Sequence, residues 1–149
     1  MTPSRTLAID FGTRRIGLAL SDAGGKLATP LKVLQAGSNS ISEIAAIIDS
    51  QGVERIVIGF PLNMDGSRGS AAEKVVAFAR SLQTRTSKPI VFVDERLSSF
   101  EAEQTLVARR RGGEKLTRKS KKERLDAVAA AQFLQEFLDG KIGETDVTI

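Results

Sequence analysis

The chain has 149 residues, no cysteine, no histidine and a net charge of +4 at pH 7. Its length predicts one domain with a single core, and 41% hydrophobic and 27% charged residues are typical of a globular protein. The missing histidine and cysteine exclude Ser-His-Asp and Cys-His catalysis, disulfide bonds and cysteine-ligated zinc. No apolar run approaches the roughly 18 residues of a membrane span, so we expect a cytoplasmic protein with no membrane partner.

Two short apolar runs, at residues 7–10 and 16–21, predict a β-hairpin at the start of the chain. The first run ends on Asp10, which places a carboxylate at the rim of a sheet. Gly12, just beyond it, lets a ligand or another backbone approach closely. The alternative is a turn aspartate that caps its own backbone.

A third strand is predicted at residues 27–34, and Pro30 within it indicates a sheet edge because proline cannot donate to a ladder. Beyond this strand, buried apolar runs alternate with helical patterns, and a Ser-x-x-Glu capping box marks the start of each predicted helix. In chain order, these elements are a helix at 41–50, a strand at 55–59, a helix at 70–82, a strand at 89–93, and helices at 98–109 and 120–139.

This order predicts an α/β fold with a mixed five-stranded sheet, three strands antiparallel and two parallel, and helices on both faces. We expect a single domain over residues 1–139 and a mobile C-terminal tail at 140–149.

Two turns are candidates for substrate contacts. Thr13 and Arg14, in the first hairpin, are placed to meet a phosphate, although a hairpin turn explains them equally well. Asn63 and Asp65 follow a central parallel strand and are placed to reach a cleft at its end. Their Pro-Leu-Asn-Met-Asp-Gly segment is nevertheless typical of a turn.

Acidic residues at the ends of distant elements form the candidate catalytic site. Ligands of open α/β sheets bind outside the carboxyl ends of the parallel strands, where Asp10 ends one strand and Asp94 and Glu95 end another. Asp126 begins a helical stripe that faces the core, and a carboxylate there is costly without a partner. The alternatives are a helix-dipole role for Asp126, and a bond from the 94–95 pair to Arg96 or a cap.

If these acids converge, their chemistry is that of a metal site. Oxygen ligands without nitrogen or sulfur select Mg²⁺ or Mn²⁺. Two such ions about 4 Å apart can activate a water and stabilise the leaving oxygen of a phosphodiester. We expect Asp10 to bridge the two ions, with Glu95 and Asp126 completing the set of catalytic and metal-binding residues.

A basic segment between residues 109 and 124 carries nine basic and two acidic residues, whereas the rest of the chain has 13 basic and 16 acidic ones. This asymmetry indicates a polyanion-binding surface, although a solvated loop rich in lysine and arginine is the alternative. With no Trp or Tyr and 5% aromatic residues, we expect contacts to backbone and shape rather than base stacking. The candidate nucleic-acid-binding residues are Arg110, Arg111, Lys115, Arg118, Lys119, Lys121 and Lys122.

Four blocks of the sequence, in order, resemble those of the YqgF/RuvX family. They are Ile-Asp-Phe-Gly-Thr-Arg-Arg-Ile-Gly at 9–17, Ile-Gly-Phe-Pro-Leu-Asn-Met-Asp-Gly at 58–66, Asp-Glu-Arg-Leu-Ser-Ser at 94–99 and Asp-Ala at 126–127. The resemblance spans residues 7–138 and implies a ribonuclease-H-like fold with catalytic acids at Asp10, Glu95 and Asp126. It also implies a nuclease that either matures the 5′ end of pre-16S ribosomal RNA or resolves Holliday junctions in the bacterial cytoplasm, with RNA favoured as partner and DNA the alternative.

Two competing functions start from the same residues. The Asp-Phe-Gly-Thr turn at 10–13 also resembles the phosphate-binding turn of sugar kinases and actin-like ATPases. Those proteins have two large domains, whereas we expect one here, and they have a second Asp-x-Gly phosphate turn that we do not expect in this chain. A nucleic-acid-binding module without catalysis, using the basic segment alone, is the second alternative.

Overall fold

The computed structural model describes residues 4–97, 118–147 and 149, which build a mixed six-stranded sheet with helices on both faces. The strands are β1 (Arg5–Phe11), β2 (Arg15–Ser21), β3 (Ala28–Gln35), β4 (Val53–Phe60), β5 (Ile90–Asp94) and β6 (Glu144–Thr145). The helices within these residues are α1 (Ser40–Ser50), α2 (Ser70–Gln83) and α3 (Arg118–Leu138), with a 3₁₀ turn at Glu95–Leu97. The helix predicted at 98–109 lies outside the described residues.

The strands lie in the order β3-β2-β1-β4-β5-β6. The first three form an antiparallel meander, and β4 and β5 run parallel to β1. The predicted mixed sheet is therefore confirmed. So is the edge position of β3, where the pairing with β2 shifts by one residue next to Pro30. Since β1, β4 and β5 are neighbours, their carboxyl ends form one continuous rim.

Each face of the sheet has its own apolar core. On one face, α1 and α2 cover the sheet with side chains that include Ile44, Ile48 and Val75. On the other face, α3 packs Ala130 and Phe133 onto small residues of the central strands. The stripe predicted for the last helix thus faces the core. In residues 4–97 and 118–147, we find no helix long and apolar enough to cross a membrane.

The sheet has one strand more than the predicted five. Strand β6 pairs antiparallel with β5, and Ile142 just before it is buried in the α3-facing core. Both lie in the segment 140–149, which the sequence predicts as a mobile tail. A two-residue strand has no periodicity for a sequence pattern to reveal.

The predicted capping boxes were wrong about α1 and α2. Ser40 lies inside α1, where its hydroxyl donates to the carbonyl oxygen of Gly37 at 2.8 Å, and Asn39 precedes the helix without a side-chain cap. Gly69 takes the corresponding place before α2, again without a side-chain cap. In both cases, the backbone enters the helix one residue earlier than the serine pattern indicates.

Candidate active site

Asp10 lies on β1 between two glycines of the neighbouring strands. Gly17 of β2 is its antiparallel partner. On the other side Ile9 pairs with Ile58, so that Gly59 of β4 follows at the level of Asp10. Cross-strand neighbours share a face of the sheet. On the α3 face, the side chain of Asp10 therefore lies between two glycines, which have no side chain.

The gap at Gly59 admits the carboxylate of Glu95. Glu95 begins the 3₁₀ turn after β5, on the far side of β4 from β1. A Cβ atom added to Gly59 would overlap the carboxylate of Glu95 and lie only 2.9 Å from its Cγ. The side chain of Glu95 thus crosses β4 and hydrogen-bonds Asp10. The structure brings these two predicted acids into contact.

Burial controls the charge of this pair. Desolvation, the nearby charge of Asp126 and a hydrogen bond from Glu95, which acts in the opposite direction, together raise the pKa of Asp10 to about 6. Desolvation, the charge of Asp10, their mutual hydrogen bond and the charge of Asp94 raise the pKa of Glu95 to about 8. Since two adjacent half-buried carboxylates resist double ionisation, the pair holds a proton near neutral pH.

Asp126 lies beside this pair but bonds elsewhere. The guanidinium Nε of Arg15 donates to its Oδ2 at 2.7 Å, and the Asp126 side chain is 29% exposed. Its charge nevertheless contributes to the raised pKa of Asp10. Among the described residues, no group of three or more acidic side chains lies close enough to hold a metal ion as the atoms stand. Two of the three predicted acids therefore meet, and the third faces Arg15.

The position of Asp126 depends on the second glycine. A Cβ atom added to Gly17 would overlap the backbone carbonyl of Asp126, because α3 lies directly on β2 at this point. Gly17 thus gives α3 the close approach that brings Asp126 to the rim, as Gly59 does for Glu95.

Comparison with known proteins identifies the family. Residues 4–140 match the sequence model of the RuvX family, described as Holliday junction resolvase. The chain belongs to the RuvX family. It is 40% identical over 141 residues to a protein of Geobacillus kaustophilus, covering 92% of this chain and 99% of the relative. It is 42% identical over 139 residues to a protein of Anaeromyxobacter sp. Fw109-5, covering 92% and 98%.

Both relatives carry the name "Putative pre-16S rRNA nuclease". Among solved structures, RuvC of Thermus thermophilus in complex with a Holliday junction substrate matches with a TM-score of 0.59 and 14% identity, over 95% of this chain and 99% of that one. This likeness shows that the fold is shared with RuvC. The predicted family, fold and nuclease class are confirmed.

Asp94, a candidate site residue in this RuvX chain, is the buried partner of Arg96. It accepts hydrogen bonds from the guanidinium, the shortest 2.7 Å from Nη2, and from the backbone N–H of Arg96. These bonds hold the pKa of the Asp94 carboxyl below its usual value against the opposing effect of burial. The alternative given for this acid, a bond to Arg96, is the contact that the structure shows.

Asn63 and Asp65 are bonded within their own loop. Asp65 accepts hydrogen bonds from the backbone and hydroxyl of Ser67, and Asn63 donates to the same hydroxyl at 3.0 Å. Arg96 in turn donates to the backbone carbonyls of Asn63 and Met64 at 3.2 and 3.3 Å. The residue after Glu95 therefore fixes this loop beside the rim.

The remaining predicted contacts to nucleic acid are exposed or only partly described. Thr13 and Arg14 are exposed in the turn between β1 and β2. The backbone of the first two turns of α3 carries four of the predicted nucleic-acid-binding residues, Arg118, Lys119, Lys121 and Lys122. The other three, Arg110, Arg111 and Lys115, lie outside the described residues.

Sequence reasoning missed Arg15, Gly17 and Gly59. A glycine inside a strand pattern is a signal of close backbone approach, and Gly17 and Gly59 both stand in predicted strands. The sequence carries no comparable signal for Arg15, since its partner Asp126 lies 111 residues further along the chain.

Proposed function

We propose that this protein is a divalent-metal-dependent nuclease that hydrolyses phosphodiester bonds of structured nucleic acid in the 5′-end processing of pre-16S ribosomal RNA. The observation that carries the proposal is the half-buried contact between Asp10 and Glu95 across Gly59, at the carboxyl rim of the parallel strands. The names of the relatives support RNA as the substrate. We also propose a cytoplasmic location, because bacterial ribosomal RNA is processed there.

The donor set fits Mg²⁺ or Mn²⁺. Asp10 and Glu95 offer oxygen ligands only, and their mutual repulsion in a desolvated site is what a divalent cation relieves. When bound, such ions, commonly as a pair, activate water and stabilise the leaving oxygen. Asp10 and Glu95 would hold the cation, with Asp126 the candidate for a third ligand.

The chain's own residues provide orientation and exclusion of water. The two strand glycines let Glu95 and α3 approach Asp10, so the acids converge from three elements on one side of the sheet. The Asp10–Glu95 pair is half-buried, and this partial desolvation strengthens its interaction with any cation. The basic segment would bind the phosphates around the scissile bond, making affinity salt-dependent.

A nuclease assay with Asp10→Asn tests this function. We expect the parent to cleave an RNA with a pre-16S 5′ extension in Mg²⁺ or Mn²⁺ but not in EDTA. We expect the variant to lose at least about 100-fold in rate, since mutation removes a ligand of the metal that generates the nucleophile. Asp49→Asn, an equal change on the exposed side of α1, is the control. Unchanged cleavage by Asp10→Asn would show that this carboxyl pair is not the catalytic site.

Resolution of Holliday junctions is the second candidate, favoured by the description of the RuvX family. Running the same assay on a four-way DNA junction separates the two substrates. Faster metal-dependent cleavage of the junction than of the RNA would favour the resolvase. Binding to either nucleic acid without cleavage would favour a non-catalytic binding module.

A further inference from the structure

Arg15 lies next to the candidate metal ligand Asp126. It is two residues before Gly17 on β2, so its side chain lies on the same face of the sheet as Asp10 and α3. Its guanidinium Nε contacts Oδ2 of Asp126 at 2.7 Å, with the Arg15 side chain 24% exposed. An arginine of the metal-binding face thus neutralises one of the acids.

The backbone at Asp126 has little freedom to move. Gly17 lies so close to the Asp126 carbonyl and the Ala127 N–H that even a methyl group has no room. One turn later, Ala130 is fully buried against the sheet. Any change in the partner of the Asp126 carboxylate therefore comes from rotation of its side chain rather than from movement of α3.

We propose that Arg15 is a positioning residue that competes with the divalent cation for Asp126. In the described arrangement, Asp126 gives an oxygen to Arg15. To act as a ligand beside Asp10 and Glu95, its carboxylate exchanges the guanidinium for the cation. Arg15 thus holds the Asp126 carboxylate next to the site, and its positive charge lowers the affinity of the site for the metal. This inference rests on the metal site of the proposed function.

The competition has a direction that can be measured. Removing the positive charge of Arg15 frees Asp126 and leaves the site more negative, so the cation binds more tightly. The exposed part of the pair limits the gain, because partly solvated ion pairs contribute little. We therefore expect about a fivefold decrease in the dissociation constant of Mn²⁺, within the range of such pairs.

The experiment measures Mn²⁺ binding by titration calorimetry, without nucleic acid. Arg15→Gln is expected to bind Mn²⁺ about fivefold more tightly than the parent. Arg15→Lys keeps the charge and Arg14→Gln removes an equal charge from the adjacent exposed side chain, and both are expected to stay within about twofold. An affinity of Arg15→Gln equal to or weaker than that of Arg14→Gln, or an equal gain in Arg15→Lys, would overturn the proposal.

A second pair of variants shows whether Arg15 acts through Asp126. In an Asp126→Asn background the competing carboxylate is gone, so adding Arg15→Gln should leave Mn²⁺ affinity unchanged. A gain of the same size in that background would also overturn the proposal, because it would mean a general charge effect. Asp10→Asn distinguishes a failure of the metal site from a failure of the role proposed for Arg15. If Asp10→Asn leaves Mn²⁺ binding intact, the proposed metal site is wrong, whatever the result for Arg15.

Discussion

Glu95 and Asp10 share a half-buried position at the rim of the sheet. Both are acids, both have raised pKa values, and burial is the largest cause for each. A carboxyl whose pKa is raised on folding binds its proton more tightly in the folded state, so ionising it costs stability. When both carboxyls are ionised they repel each other, and a divalent cation is suited to reduce this repulsion.

The pH dependence of stability follows from this shift. Below the ordinary carboxyl pKa the contribution of Glu95 to stability is fully present, and it is lost as the pH rises through its folded value of about 8. We expect Glu95→Gln, which cannot ionise, to match the parent in Tm at pH 5 and to exceed it at pH 9. The Tm should rise by about 2–4 °C for each kcal/mol gained in the free energy of unfolding. Thermal unfolding in EDTA measures this gain. A constant difference at both pH values would contradict this.

At the scale of elements, the site is built where β1, β2 and β4 meet α3 and the 3₁₀ turn. Two glycines make these approaches possible, but one makes room for a side chain and the other for a helix backbone. Gly59 admits the end of a flexible side chain, that of Glu95, whereas Gly17 admits backbone of α3. A side chain can rotate away from an added methyl group, but a packed helix can move away only by separating from the sheet.

Matched alanine substitutions test this difference. We expect Gly59→Ala to keep the free energy of unfolding within about 1 kcal/mol of the parent, as a displaced flexible side chain costs little, but to lose cleavage at least about 10-fold as Glu95 moves. Gly17→Ala should lose about 1–3 kcal/mol through overpacking. Gly37→Ala, where nothing lies within 4 Å of the added atom, is the control. Urea unfolding and the RNA assay measure both effects, and equal destabilisation by the two site variants would contradict the distinction.

Across the whole molecule, charge is divided between an acidic site and a basic segment. The acids sit at the rim, and the end of the basic segment 109–124 forms the first turns of α3, the helix that carries Asp126. A nucleic acid held by that segment would therefore be held beside the rim. Phosphate neutralisation of this kind releases counterions, so the affinity falls as salt rises.

Replacing Lys119, Lys121 and Lys122 with glutamine tests the role of this segment. We expect weaker binding to RNA and a shallower dependence of log Kd on log salt, by up to about 0.9 for each phosphate that the segment no longer neutralises. Fluorescence anisotropy between about 50 and 200 mM salt measures both quantities. A triple glutamine variant at Lys26, Lys32 and Lys74, outside the segment, controls for net charge. Equal slopes in the two variants would show that the segment has no special role.

The sequence by itself determined the mixed α/β class of the sheet, the edge position of β3 through Pro30, and the inward stripe of α3. Each of these depends on local chemistry: a missing N–H group, or a period of two or 3.6 residues. Asp10 and Glu95 could be chosen in a similar way, because the ends of parallel strands share one rim. The sequence could predict that Asp10 and Glu95 lie near each other, but not that they share a hydrogen bond.

Only the tertiary structure decided the partners of the charged side chains. Asp94 bonds Arg96, Asp126 bonds Arg15, and Glu95 crosses an intervening strand to Asp10. The last two pairs join residues that lie far apart in the chain. No local periodicity encodes such pairs, because they depend on how closely β2, β4 and α3 approach one another. That distance is set by the packing of both cores and by two glycines that leave the space.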